Sequence, residues 1–95
     1  MGIDDSVVAS QSAHLSADLG GEFVILGLAD EIYYGLDGVG ARIWELIQEP
    51  RTVRFLVDTI SSEYEVEPGV CAADTEEFLN ELSCRSFVTI VSSRM

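Results

Sequence analysis

The stretch Phe23-Val24-Ile25-Leu26-Gly27-Leu28-Ala29-Asp30-Glu31-Ile32-Tyr33-Tyr34-Gly35-Leu36 decides the fold. Phe23 to Leu28 is apolar throughout and rich in the β-branched and aromatic types that suit a pleated surface. Ala29-Asp30 is a tight connection, and Glu31 to Leu36 reads as the next strand. Two β-prone runs so close together make an antiparallel hairpin. In the second run Ile32, Tyr34 and Leu36 alternate to one face, and Glu31, Tyr33 and Gly35 to the other. The first run is apolar on both faces, so either both are covered or one waits for a partner.

Upstream, Val7 to Leu15 gives a weaker strand signal, with Ala13 and Leu15 its better apolar positions. Ser16 to Gly21 reads as a turn, because Gly20-Gly21 admits positive φ. Residues 1–6 are polar and acidic and read as frayed.

Downstream the period becomes helical. Asp37 is an N-cap type, Val39, Ile43, Leu46 and Ile47 form a stripe that Trp44 widens, and Pro50 stops the helix. Thr52 caps a second helix with Val53, Leu56, Val57, Ile60 and Tyr64 on one face. Pro68 suits the first turn of a third, where its missing N–H costs nothing. There Cys71, Thr75, Phe78, Leu79 and Leu82 make the apolar stripe, opposite Asp74, Glu76, Glu77 and Glu81. Phe87 to Val91 is a candidate short strand. The reading is one α+β domain over residues 1–95, ordered from about 7 to 91. It has an N-terminal three-stranded antiparallel sheet, then three helices, in winged-helix outline.

Charge excludes several roles. The chain carries 17 acids against 5 bases, a net charge of −12, and every base is an arginine. A protein that neutralises about 6–10 phosphates needs that many cations on one face. Nucleic acid and anionic membranes are therefore poor partners. No apolar run approaches the ~18 residues of a membrane span, and the acidic start is unlike a signal peptide, so the expected location is the cytoplasm.

Catalytic chemistry finds no footing. His14 is the single histidine, has no motif around it, and reads as a surface or rim residue. Cys71 and Cys84 lie at opposite ends of one helix, about 20 Å apart at ~1.5 Å per residue, too far for a disulfide. Cys71 reads as a small apolar filler and Cys84 as a helix-end residue. No CxxC or metal-ligand spacing occurs, and Gly38-Val39-Gly40 lacks the rest of a phosphate loop. Its glycines suit close packing of the helix start. No catalytic residue, metal or cofactor is expected.

One binding feature stands out. If the Glu31–Leu36 strand is a sheet edge, it is flanked by aromatics and carries no lysine or central proline to discourage pairing. Such an edge accepts an extended peptide, whose backbone hydrogen-bonds while alternate side chains are read by pockets. On this basis a proline at Tyr33 or Tyr34 is expected to abolish binding.

Phe23-Val24-Ile25-Leu26, Tyr33-Tyr34-Gly35-Leu36-Asp37 and Gly40-Ala41-Arg42-Ile43-Trp44-Glu45-Leu46-Ile47 occur in an order that resembles the PqqD family. Arg51-Thr52-Val53, Tyr64-Glu65-Val66-Glu67-Pro68, and Asp74 ahead of Phe78-Leu79 and Leu82 continue the likeness, over roughly residues 13 to 88. The chain is most similar to the small leader-binding half of the split B protein of lasso-peptide pathways. The resemblance implies a non-catalytic domain that binds a precursor's leader peptide as an antiparallel strand on the third strand, packed against the third helix. By position, the implied contacts are Glu31, Ile32, Tyr33, Tyr34, Gly35 and Leu36 on the strand. On the helix they are Asp74, Thr75, Phe78, Leu79 and Leu82, with Asp74 the polar contact. The implied partners are the leader peptide, a separate leader peptidase and, less directly, a macrocyclase.

Other readings compete. A PqqD-type chaperone for a radical-SAM enzyme would use the same docking mode. A winged-helix regulator would need a basic recognition helix, yet the third helix is acidic. A small enzyme lacks a placed nucleophile and base, and a structural subunit would pair its sheet edge with itself.

Overall fold

The computed structural model describes residues 2–10 and 14–91. Six strands and three helices follow in the order β1 (Ser6–Ala9), β2 (His14–Asp18), β3 (Phe23–Gly27), β4 (Tyr33–Leu36), α1 (Gly38–Leu46), β5 (Arg51–Thr52), α2 (Val53–Tyr64), α3 (Pro68–Cys84) and β6 (Val88–Val91). They make two three-stranded antiparallel sheets, β5-β1-β6 and β2-β3-β4. The class is α+β, as the sequence implies.

The expected Val7–Leu15 strand is two strands in different sheets. β1 pairs with both β5 and β6, while β2 pairs with β3. Backbone bonds to Ile47 and Phe87 from Ala9 and Ser10 hold the chain where it leaves the first sheet. The expected inward residues also move. Leu15 is 61% exposed, because the register puts His14 and Ser16 on the inner face. A shift of one residue reverses every side chain of a strand. Ala13 lies outside the described residues. The turn is shorter than Ser16–Gly21: β2 runs to Asp18, and Leu19 N–H donates to Glu22 O across Gly20 and Gly21, both at positive φ.

The start of the chain is tied down rather than frayed. Ser6 pairs with Thr52 and Val91, and the carbonyls of Ile3 and Asp5 accept from Arg54 and Val53. The sequence hides this because the bonds are to backbone and ask nothing of the side chains.

Trp44, Ile43 and Ile47 of the first helical stretch meet Leu56, Val57 and Ile60 of α2 and Cys71, Leu79 and Leu82 of α3 in one core. Val7, Ile25, Phe87 and Val88 extend it to both sheets. Tyr64 departs from its expected face and is exposed, since α2 ends there in a left-handed Glu65. Thr52 caps α2 through its side chain, whereas Asp37 occupies the N-cap of α1 without a side-chain bond. Pro68 opens α3 as expected.

His14 is a rim residue, half-buried, with its ring turned toward the core. Its ring centroid lies 5.0 Å from that of Trp44 and 5.6 Å from that of Phe87, edge-on to both. Gly27 stands opposite it in the ladder, where an added Cβ would meet Asp30 and the Phe87 ring. Both imidazole nitrogens are buried, and the Ser10 backbone is the polar group that acts on them.

Candidate functional site

β4 is an edge of its sheet. The ladder fixes which backbone groups are free. Gly27 N–H donates to Ile32 O at 3.0 Å, and Leu26 is paired with Tyr33. Antiparallel pairs alternate between bonded and non-bonded, so Ile25–Tyr34 and Phe23–Leu36 exchange hydrogen bonds and Val24–Gly35 does not. Tyr34 and Leu36 therefore turn their N–H and C=O toward β3. Tyr33 and Gly35 turn theirs outward, to the open edge.

The strand is shorter than the expected Glu31–Leu36. Glu31 sits at φ +55° in the turn, where its N–H donates to Gly27 O, and Ile32 N–H is taken by the Asp30 carboxylate at 3.1 Å. Asp30 thus uses its side chain to close the hairpin, as short acidic residues do in turns.

β4 and α3 come near one another at two places. At one end Gly40 makes room: a Cβ there would stand 3.5 Å from the Phe78 ring and 3.9 Å from Leu36. At the other end Arg85, just past α3, lies over the Tyr34 ring at 4.5 Å and donates to its hydroxyl. The Tyr34 hydroxyl donates in turn to Asp30 at 3.1 Å, and its ring meets Phe87 edge-on at 5.2 Å. Desolvation and the Asp30 hydrogen bond together push the Tyr34 phenol above its ordinary value, although Arg85 opposes them. It stays a donor across the neutral range.

The space between these two places, flanked by the half-buried Tyr34 and Leu36 of β4 and Phe78 of α3, is the candidate groove. Asp74, Glu77 and Glu81 line a shallow pocket around Phe78. Beside it, a cavity of about 230 Å³ opens between the helices, walled by Val39, Gly40, Ile60, Val66 and Phe78, with Asp74 and Thr75. The outward N–H and C=O groups of Tyr33 and Gly35 leave this edge open to a further strand.

Of the residues expected at the site, Ile32, Tyr33 and Gly35 are exposed along or beside the edge, and Glu31 is exposed in the turn. Asp74 and Phe78 reach the groove from α3. Thr75, Leu79 and Leu82 are 2%, 0% and 4% exposed and stand behind it in the core. Sequence reasoning did not single out Arg85 or Gly40 for this groove. Arg85 follows Phe78 by seven residues and Glu81 by four, the spacing of one helix face. Among the described residues no group of three His, Cys, Asp or Glu is placed to hold a metal ion. No described helix is long and apolar enough to cross a membrane.

Comparison with known proteins bears on this groove. The family model described as Coenzyme PQQ synthesis protein D (PqqD) matches residues 22–88. Among curated proteins none matches the sequence. A solved structure of TbiB1 in complex with the TbiA(beta) leader peptide superposes with a TM-score of 0.78 at 36% identity, covering 85% of this chain and 93% of that one. The family match spans β3, β4, all three helices and the start of β6, every element that builds the groove, and on that match the chain belongs to the PqqD family.

Proposed function

We propose that this protein recognises the leader of a ribosomally made precursor peptide, of the lasso-peptide type, and presents it to a separate peptidase. The leader adds as an antiparallel strand to the open edge of β4 and lays alternate side chains into the groove against α3. The observation that carries the reading is the unpaired backbone of Tyr33 and Gly35 beside α3. It occurs in a chain 36% identical to a protein held in complex with a leader peptide.

Backbone pairing supplies affinity that any extended peptide shares, and the groove adds selection. Phe78, Tyr34 and Leu36 receive apolar side chains, and Asp74 receives a polar or basic one. Thr75, Leu79 and Leu82 hold Phe78 in place from behind. The protein makes and breaks no bonds itself. It raises the effective concentration of the cleavage site at the peptidase, and a macrocyclase would act on the released core. Because a precursor is made on ribosomes, the working compartment is the cytoplasm.

Fluorescence anisotropy of the labelled leader of the same biosynthetic cluster, titrated with this protein, tests the reading. Micromolar or tighter binding that is lost in Phe78→Asp is expected. A folded protein that leaves the anisotropy unchanged at high concentration would rule it out.

A further inference from the structure

Every described arginine but one is paired with a carboxylate. Arg42 pairs with Glu45 and Glu63, Arg51 with Glu49, and Arg54 with Asp4. Arg85 has no ion pair among the described residues, on a chain that carries 17 acids against 5 bases. It lies over the Tyr34 ring and donates from one nitrogen to the Tyr34 hydroxyl. Asp30, the carboxylate joined to that hydroxyl, is already engaged. One of its oxygens accepts from Ile32 N–H and the other from the Tyr34 hydroxyl, each at 3.1 Å. Beside the guanidinium, a hollow of about 350 Å³ opens between the β3–β4 turn and Phe87. A guanidinium presents its donors as a planar fork that grips both oxygens of a carboxylate.

We infer that Arg85 reads an aspartate or glutamate of the bound leader, at the residue that faces Tyr34 or the next one on that side. The inference rests on the leader-binding reading above and adds a charge requirement to it. Directly opposed residues of an antiparallel pair share a face, with Cβ atoms about 4.5–5.5 Å apart. A leader residue opposite Tyr34 thus stands beside the ring on which Arg85 is stacked. Because the strands run in opposite senses, the next residue on that face lies two further toward the leader's C-terminus, opposite Ile32. Both positions fall at the hairpin end of the groove, where Arg85 stands.

The acids of α3 make this contact selective. Asp74, Glu77 and Glu81 gather around Phe78, and an acidic side chain entering there meets like charges. Among the described residues the groove therefore carries negative charge along the helix and one positive group at its hairpin end. An acidic leader residue fits only at that end, which also favours one sense of the added strand over the other.

The labelled leader of the same biosynthetic cluster, with each Asp and Glu changed in turn to its amide, tests this by anisotropy. On the parent protein, amidation of one acid should weaken binding about three- to tenfold, as for loss of a charge-assisted pair. Amidation of the others should leave binding equal or tighter, since the net charge of −12 repels them. On Arg85→Gln, amidation of the first acid should change nothing, and its replacement by lysine should restore binding to Arg85→Glu. A parent that binds every amidated leader as tightly as the original would overturn the inference and leave leader recognition standing. So would tight binding of a leader that contains no acid. An equal loss on the parent and on Arg85→Gln would overturn it too, because another group would then read the acid. A parent that binds no leader at all would overturn the leader-binding reading, and this inference with it.

Discussion

Arg85 lies over the ring of Tyr34, its guanidinium carbon 4.5 Å from the ring centroid, and this contact ties the end of α3 to the edge strand β4. The groove between helix and strand is thus closed at one end by a stacked cation and at the other by Phe78 against the bare backbone of Gly40. Arg85 is exposed, so the stack is worth only about 0.5–1 kcal/mol. Arg85→Ala should lower stability by about that much in urea titration, and Tyr34→Phe by less, since the ring and its stack remain. Leader affinity should weaken more in Arg85→Ala than in Tyr34→Phe. Equal affinity for parent and Arg85→Ala would show that the groove does not depend on this tie.

The ladder register separates two substitutions that the sequence treats alike. Tyr33 directs its N–H to the open edge and Tyr34 directs its own to Ile25. Proline removes the donor in either case. Tyr33→Pro should therefore keep a cooperative melt and lose leader binding. Tyr34→Pro should break the β3–β4 ladder and lower the melting temperature sharply. Should Tyr33→Pro prove unstable, a leader N-methylated at alternate residues probes the same edge on the intact protein. Unimpaired binding of peptides methylated in either phase would exclude strand addition.

Much of this was legible beforehand, and the exceptions share a cause. The hairpin, the helix stripes and Thr52 as a cap follow from period and side-chain chemistry, and the structure agrees. The β5-β1-β6 sheet was hidden, since Arg51-Thr52 is two residues long and Ser6–Ala9 pairs through backbone alone. The ring contacts of the rim residue His14 were hidden for a related reason, since Trp44 and Phe87 are distant in sequence. For the site, the edge strand was readable, but which α3 residues face it was not. Asp74 and Phe78 share a helix with Thr75, Leu79 and Leu82, and a single residue of register decides between groove and core.

Trp44 is fully buried at the centre of the core. Trp44→Ala should cost about 3–5 kcal/mol, from lost burial and the cavity left behind. A small domain has a total stability of about 5–15 kcal/mol, so the variant should sit near its unfolding threshold at 37 °C. Its indole nitrogen is buried without a partner among the described residues. Trp44→Phe removes that unpaired donor and should cost clearly less than the alanine change. Chemical denaturation of the three proteins checks the order, and a parental midpoint for Trp44→Ala would remove Trp44 from the core.

His14 sets a pH dependence that can be isolated. Burial against Trp44 and Phe87 pushes its imidazole below the ordinary value of 6.5, and the Ser10 backbone offsets only part of this. The folded state therefore prefers the neutral ring, and the unfolded chain takes up its proton first as pH falls. Stability tied to His14 is complete above about pH 6.5 and drains away below it, until the folded-state value is reached. The carboxylates of so acidic a chain titrate lower and add their own slope, so the comparison must be between proteins. His14→Phe keeps an aromatic edge against Trp44 and Phe87 and cannot titrate. Between pH 7.5 and 5.5 the parent's melting temperature should fall further than that of His14→Phe. Parallel melting profiles for the two would mean that the imidazole protonates in place, and that the pocket opens to water more than its packing implies.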